Sequence, residues 1–302
     1  MTPLKHSLNN YVNFLLPWVI VTFALNSNLL VAHEMWIEPL DFTIKPKDKI
    51  FAHNKVGQNF KGNSYAYLDK NFKHLNIHQE KFDRPVKSRL GDKPFIQETI
   101  NDAGLVILSA ISNGNTLTYK SEEQFRKFIS AEKLNWVFKE HKKRRLPSKG
   151  FTETFIRSAK SLVKVGHGKG EDRKIGLPLE WVLQNNPYTT NEKKIVACLY
   201  WQGEKVIDKP VHIFNKTPVE SVSLNKKQNT KNKTAYVLSN RKYQVTDTFL
   251  TTDDSGCVSI ARNKGIHLLN AVKMIEPSDT VKNESNAVWE STWGSLTYST
   301  IE

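Results

Sequence analysis

Three observations predict a mainly β protein, with an N-terminal β-sandwich-like domain carrying a helical insertion and a C-terminal immunoglobulin-like β-sandwich. Between His33 and about Tyr119, short apolar or alternating runs at 50–53, 63–67 and 105–111 are broken by turn residues such as Gly91-Asp92 and Asn113-Gly114-Asn115, a pattern of strands. From about 121 to 165 the apolar spacing becomes helical. Beyond 191, strand-like runs return at 195–201, 211–214, 243–250, 257–261, 267–274 and 295–299, and short strands at that spacing suit an immunoglobulin-like sandwich.

The elements follow in order. Ser121-Glu122-Glu123-Gln124 forms a capping box, in which the serine oxygen accepts from an amide three residues on and the glutamine reaches back. The helix that begins there buries Phe125, Phe128 and Ile129, and a second carries Leu134, Val137, Phe138 and His141 on one stripe. A third helix is expected over 152–165, with Phe155, Ala159, Leu162 and Val163 inward, ending at Gly166-His167-Gly168-Lys169-Gly170. That glycine run lacks both the Lys-Ser/Thr pair and the preceding strand of a phosphate loop. Residues 176–190, with Pro178 and Pro187, read as an extended connection, which places a boundary at 190/191. In Thr252-Asp253-Asp254-Ser255-Gly256 the aspartates bond local amides and the glycine supplies positive φ. The Lys- and Asn-rich run 223–234 is expected to be a loop.

Residues 1–32 read as an export signal: Lys5 in a polar head, an apolar run from Phe14 to Leu25, and Leu30 and Ala32 before the cleavage point. The run is about a dozen residues, short of the roughly 20 that span a bilayer. The expected location is periplasmic or otherwise exported. A net charge of +14 would suit nucleic acid inside a cell, but an exported protein meets anionic membrane or cell-wall polymer first, so no nucleic-acid partner is expected. Cys198 shares its strand face with Val196 and Tyr200, whereas Cys257 points away from Val258 and Ile260 and so outward. Export makes a disulfide chemically possible, the pairing stays open, and without a close Cys-Cys pair no thiolate metal site is expected.

Cleavage after Ala32 would expose His33-Glu34-Met35-Trp36. A terminal histidine offers a metal its amine and its ring Nδ1 together, a chelate that no internal histidine can form. Nickel, cobalt and copper all accept these donors. His53, His74, His78, His167 and His212 are read as solvated surface histidines. His74 and His78, four apart in extended chain, share a face but stand too far apart to cooperate. Hydrolase patterns are missing: there is no Gly-x-Ser-x-Gly elbow and no His-Glu-x-x-His helix, since Ile37 stands where the second histidine would be. No enzyme is expected.

A series of ordered segments adds a resemblance. These are His33-Glu34-Met35-Trp36, Val56-Gly57-Gln58-Asn59-Phe60-Lys61-Gly62, Arg89-Leu90-Gly91-Asp92-Lys93-Pro94, Leu117-Thr118-Tyr119, Leu134-Asn135-Trp136-Val137, Arg157-Ser158-Ala159-Lys160-Ser161-Leu162-Val163, Gly176-Leu177-Pro178-Leu179-Glu180, Asn186-Pro187-Tyr188 and Trp289-Glu290-Ser291. In them the chain, from His33 to about Thr297, resembles a nickel-uptake-transporter-like family of uncharacterised exported proteins, related to the periplasmic component of nickel and cobalt transporters. The resemblance implies a periplasmic β protein that carries a divalent transition metal, nickel or cobalt before copper, to a membrane metal transporter. His33 and, more weakly, His141 match the family's positions. Where the family often has a histidine before the methionine near 270, this chain has Lys273, which cannot ligate while charged. His267 lies on the same strand face and could substitute. The expected ligand set is thus His33, Glu34, His141 and His267. Two other readings stand beside it: a structural sandwich that binds envelope polymer, and a copper protein or oxidative enzyme using the terminal histidine.

Overall fold

The structure is a computed structural model that describes residues 33–219 and 243–301, so the expected signal at 1–32 and the loop at 223–234 lie outside the described residues. The elements run β1 (Glu34–Pro39), β2 (Thr43–Ile44), β3 (Lys49–Gln58), β4 (Lys61–Tyr65), β5 (Phe72–His78), β6 (Asp83–Pro85), β7 (Ile96–Thr99), β8 (Gly104–Ser112) and β9 (Asn115–Tyr119), then α1 (Glu122–Ala131) and α2 (Asn135–Lys143). They continue with β10 (Phe151–Val165), β11 (Leu179–Leu183), β12 (Lys194–Trp201), β13 (Glu204–Lys205), β14 (Pro210–Pro218), β15 (Tyr243–Thr251), β16 (Cys257–Ala261), β17 (Ile266–Ile275), α3 (Asp279–Ser285) and β18 (Ala287–Ser299).

A large sheet of order β15-β14-β17-β18-β10-β8-β5-β6 forms the middle layer, with β2 and β9 also pairing to β10. On one face stand a small sheet, β1-β3-β4 with β7, and the two helices; on the other lies a second small sheet, β11-β12-β13 with β16. Each interlayer space has its own apolar core. Leu162, Trp181, Leu199, Leu269 and Tyr298 pack toward the second small sheet. Met35, Ile37, Val106, Leu108 and Val163 pack beneath the first. Phe125, Phe128, Val137, Trp289 and Trp293 fill the space under the helices. The mainly β sandwich with a helical insertion is therefore observed, as three stacked layers.

Position 191 is not a gap between cores. The middle sheet takes strands from both sides of it, β10 pairs with β18 from Thr152↔Ala287 to Ser161↔Thr297, and Val31–Glu302 is one compact unit. Residue 191 lies in the loop that joins β11 to β12, two paired strands of the second small sheet; the chain changes sheet earlier, between β10 and β11. The expected third helix is also corrected: 151–165 is the long strand β10. Strands pair on both sides of it, and its C-terminal half is buried on both faces, so it loses the alternation that marks a half-exposed strand. A strand therefore does precede the glycine run at 166–170. The connection 176–190 contains the wholly buried β11.

The first two helices form where expected. Ser121 Oγ accepts from the Gln124 amide at 3.2 Å, and Gln124 Oε1 reaches back to the Lys120 amide at 3.1 Å, one residue earlier than the usual box. Cys198 and Cys257 stand directly opposite each other on β12 and β16 and form a disulfide. Cys257 lies on the outward face that alternation predicts, opposite to the buried Val258 and Ile260. Cys198 shares that face, while Ile195, Ala197 and Leu199 enter the core.

Two layers are tied by one ammonium. Lys160 Nζ, on β10 and fully buried, donates to Glu180 Oε1 at 3.1 Å and to the carbonyls of Arg173 and Trp181 at 2.8 and 3.1 Å, and forms an ion pair with Asp172 Oδ1 at 2.7 Å. Backbone amides complete the shell: Leu183 donates to Asp172, and Ile175, Gly176 and Leu177 donate to Glu180. Removing one partner of a buried ion cluster leaves uncompensated charge. Lys160→Met is expected to lower stability by about 3–5 kcal/mol at neutral pH, read as a shift of the urea midpoint, with the loss shrinking on acidification as the stranded carboxylates take up protons. Reduction of the Cys198–Cys257 bridge, which closes a loop of 59 residues, is expected to cost about 2–4 kcal/mol, measured by thermal melts with and without reductant.

Candidate functional site

β1 is an edge strand of its own small sheet, and an unpaired edge must find other partners for its carbonyls. It finds them on the face of the middle sheet. The His33 carbonyl accepts from Arg157 Nε at 2.9 Å, that of Met35 from Ser295 Oγ at 2.6 Å and that of Ile37 from Thr297 Oγ1 at 2.6 Å. This alternate docking holds the start of the strand against β10 and β18, with Trp36 packed edge-on against Phe60 at 5.5 Å.

The first two residues of this segment carry the chemistry. Glu34 is 4 % exposed, and its Oε2 has no hydrogen-bond partner. Burial, and after it the field of Glu132, pushes its pKa up to about 8, against the pull of backbone amides at Glu34 and Asn59. Glu132, partly buried at the end of α1, is itself raised by burial to about 7, opposed by Lys209. His33 is half-buried, and burial followed by the Arg157 charge lowers its pKa, so the ring is neutral and able to offer a lone pair at pH 7. Behind them Glu153, raised to about 7 by burial, accepts from Tyr119 at 2.5 Å and from Ser291. That acid is saturated; Glu34 is not.

The other two expected ligands are placed elsewhere. His141 is buried against Phe125 and Phe151. Trp289 Nε1 donates to its Nδ1 at 3.0 Å, and its Nε2 faces the Pro147 carbonyl at 2.9 Å. The tryptophan can only donate, so Nδ1 is the acceptor and Nε2 carries the hydrogen. Both nitrogens are used, and His141 serves as a packing residue. His267 stacks on Tyr298 at 4.7 Å, and its Nε2 lies 2.9 Å from the Asn263 carbonyl. Burial lowers its pKa to about 4. It faces the opposite side of the middle sheet from β1, as does Lys273, whose ammonium lies over Trp201. Among the described residues no group of three or more His, Cys, Asp or Glu side chains is gathered to hold a metal.

Sequence reasoning missed a second polar constellation. His74 and His78 on β5 do cooperate: their rings stack at 6.0 Å, and the Nε2 atom of each lies 2.8 Å from Ser109 Oγ. Ser109 opposes Asn76, midway between them, and side chains that lean along the strand close the distance the backbone spacing suggests. His78 Nδ1 also meets Asp83 at 3.1 Å. The order Asp83, His78, Ser109 matches that of a hydrolase triad, but Ser109 is 0 % exposed and sits between two rings, so its hydroxyl bridges them. Nor is His212 a free surface residue: it lies between Phe214 and Phe249, with Nε2 2.8 Å from Asp247.

Among known proteins, no curated sequence matches the chain. Two crystal structures of Salmonella alpha-2-macroglobulin, one reacted with methylamine and one a mutant, align over 89 % of this chain and 15 % of theirs, at 9 % and 8 % identity and a TM-score of 0.19. The chain thus spans about 15 % of the length of those structures, and a likeness of that size carries no argument. Among the described residues no helix is long and apolar enough to cross a membrane. Residues 30–274 match the family described as Domain of unknown function (DUF4198), and the chain belongs to that family.

Proposed function

We propose that the protein is an exported binding protein for a divalent transition metal, nickel or cobalt before copper, which it passes to a membrane transporter without chemical turnover. The single observation that supports this reading is Glu34: a buried carboxyl with an unpartnered oxygen, next to a neutral histidine and in the field of a second raised carboxyl. An unsatisfied buried acid is costly, and a cation bound there would relieve the cost. His33 ring nitrogen and a Glu34 oxygen would be two donors, and cleavage after Ala32 would add the His33 amine as the third. His141 and His267 have no part in this set.

Four outcomes are expected. Titration calorimetry of a chain beginning at His33 gives binding of nickel, cobalt or copper tighter than about 10 µM, or about 6.8 kcal/mol. His33→Ala, or one extra residue placed ahead of His33, weakens it by about tenfold or more; no binding, or binding indifferent to both changes, overturns the reading. Metal affinity should fall as pH drops below about 8, the pKa of Glu34, because the cation must displace that proton. Stability without metal moves the other way. The folded pKa of Glu34 lies above the unfolded value of 4.5, so its ionisation penalty is absent at low pH and grows as pH rises toward about 8. Glu34→Gln should therefore raise the melting temperature at pH 8.5 relative to wild type and do so much less at pH 5; a pH-independent difference would contradict it.

A further inference from the structure

A cleft of about 1140 Å³ opens on the side of the molecule bordered by the turn before β6, the start of β8 and the loops that follow β10 and β11. It shares no residue with the surroundings of His33 and Glu34 described above. Its volume is at or slightly above the roughly 300–1,000 Å³ of small-molecule sites.

The walls are held by bonds made before any ligand arrives. Asn186 Nδ2 donates to the carbonyls of Gly168 and Gly170, both at 2.8 Å. Asn185 donates to the Lys194 carbonyl at 2.8 Å and accepts from the Val196 amide at 2.9 Å, which pins the loop to β12. Arg173 reaches across to the Gln79 carbonyl at 3.2 Å and to Asp83 at 2.7 Å. At Gly168 and Gly170 the backbone has φ of 65° and 129°, and a Cβ on Gly168 would lie 2.7 Å from the Lys164 side chain, so the wall turns where a larger residue could not.

One wall atom is left over. Gln79 is 7 % exposed and lines the cleft, its Nε2 donates to the Asp102 carbonyl at 3.3 Å, and its Oε1 has no partner. A buried amide oxygen without a donor lacks an interaction that a ligand can supply. The cleft also departs from the chain's overall charge. The protein carries +14, but here Lys81, Lys169 and Arg173 are matched by Glu80, Asp102 and Glu171, with Asp172 already neutralised by Lys160. An anion would find no excess of positive charge. A ligand with many hydroxyls, donating to carboxylates and amide oxygens and accepting from ammonium and amide groups, would satisfy this mixed wall. Phe82, 36 % exposed on the rim, offers a ring face of the kind on which the C–H side of a sugar can lie, an apolar surface beside polar groups that fix orientation.

We propose that this cleft binds a neutral oligosaccharide, with Phe82 as the stacking surface and Gln79 Oε1 as a hydroxyl acceptor.

The test is titration of the full chain with maltotetraose, cellotetraose and tetra-N-acetylchitotetraose, read by ligand-observed NMR and calorimetry, beside a sulfated tetrasaccharide and an uncharged Gly-Ser peptide. At least one neutral tetrasaccharide should bind, with affinity reduced about tenfold by Phe82→Ala and about fivefold by Gln79→Leu, and changed less than about twofold by Lys169→Ala. Phe82→Ala alters a rim residue, so an unchanged melt would separate lost binding from lost folding. Failure of all three neutral sugars at about 10 mM, tighter binding of the sulfated sugar that Lys169→Ala abolishes, or binding of the peptide alone would each overturn the proposal. None of these outcomes bears on metal binding at His33.

Discussion

The buried Lys160 ammonium is the constraint on which the layered arrangement depends. It projects from β10 toward the second small sheet and meets two carboxylates and two carbonyls supplied by the segment 172–181. A charge this deep is tolerable only when its shell is complete, so the chain between β10 and β11 has one way to run. That course sets β11 beneath β18, where Trp181 donates to the Gly294 carbonyl at 3.3 Å. A Cβ on Gly294 would come within 2.6 Å of the Leu179 carbonyl, which is why glycine stands at the crossing. The same network fixes Asp172 and Arg173 in the wall of the polar cleft.

On the opposite face the equivalent role falls to backbone. The first small sheet meets the middle one through a strand edge, and the carbonyls at 33, 35 and 37 are received by a guanidinium and two hydroxyls. Residues 35 and 37 also send side chains into the core, so position and burial reinforce each other. The arrangement carries Glu34 into the interior as a by-product: a strand docked from its first residue cannot keep that side chain in water.

What the sequence made legible, and what it hid, follows from burial. Strands with one wet face were readable, among them β16, whose alternation puts Cys257 outward; β17, buried on both faces, was readable only as a short apolar run. The capping box at Ser121 was readable because its signal is local. β10 reads as a helix in sequence because pairing on both sides and burial on both faces erase period two, leaving Phe155, Ala159, Leu162 and Val163 at spacings that also fit a helix. β11 was hidden for the same reason between Pro178 and Pro187. The pairing of His74 with His78 depends on Ser109, thirty-odd residues away, and no local pattern announces it. His33 and Glu34 stood out as residues, but the feature that singles out Glu34, a carboxyl oxygen left without a donor, is a property of the packed interior alone.

The parallel pairing of β10 with β18 sets a limit on the order of assembly. β18, residues 287–299, lies in the centre of the middle sheet, with β17 on one side and β10 on the other. Over a hundred residues separate the two parallel partners, and contacts so remote in sequence form late and slowly. Until the ribosome has delivered Ser299, β10 lacks its long neighbour and the two halves of the sheet have nothing to join them. A chain built this way keeps its middle sheet in two parts until β18 is inserted between them.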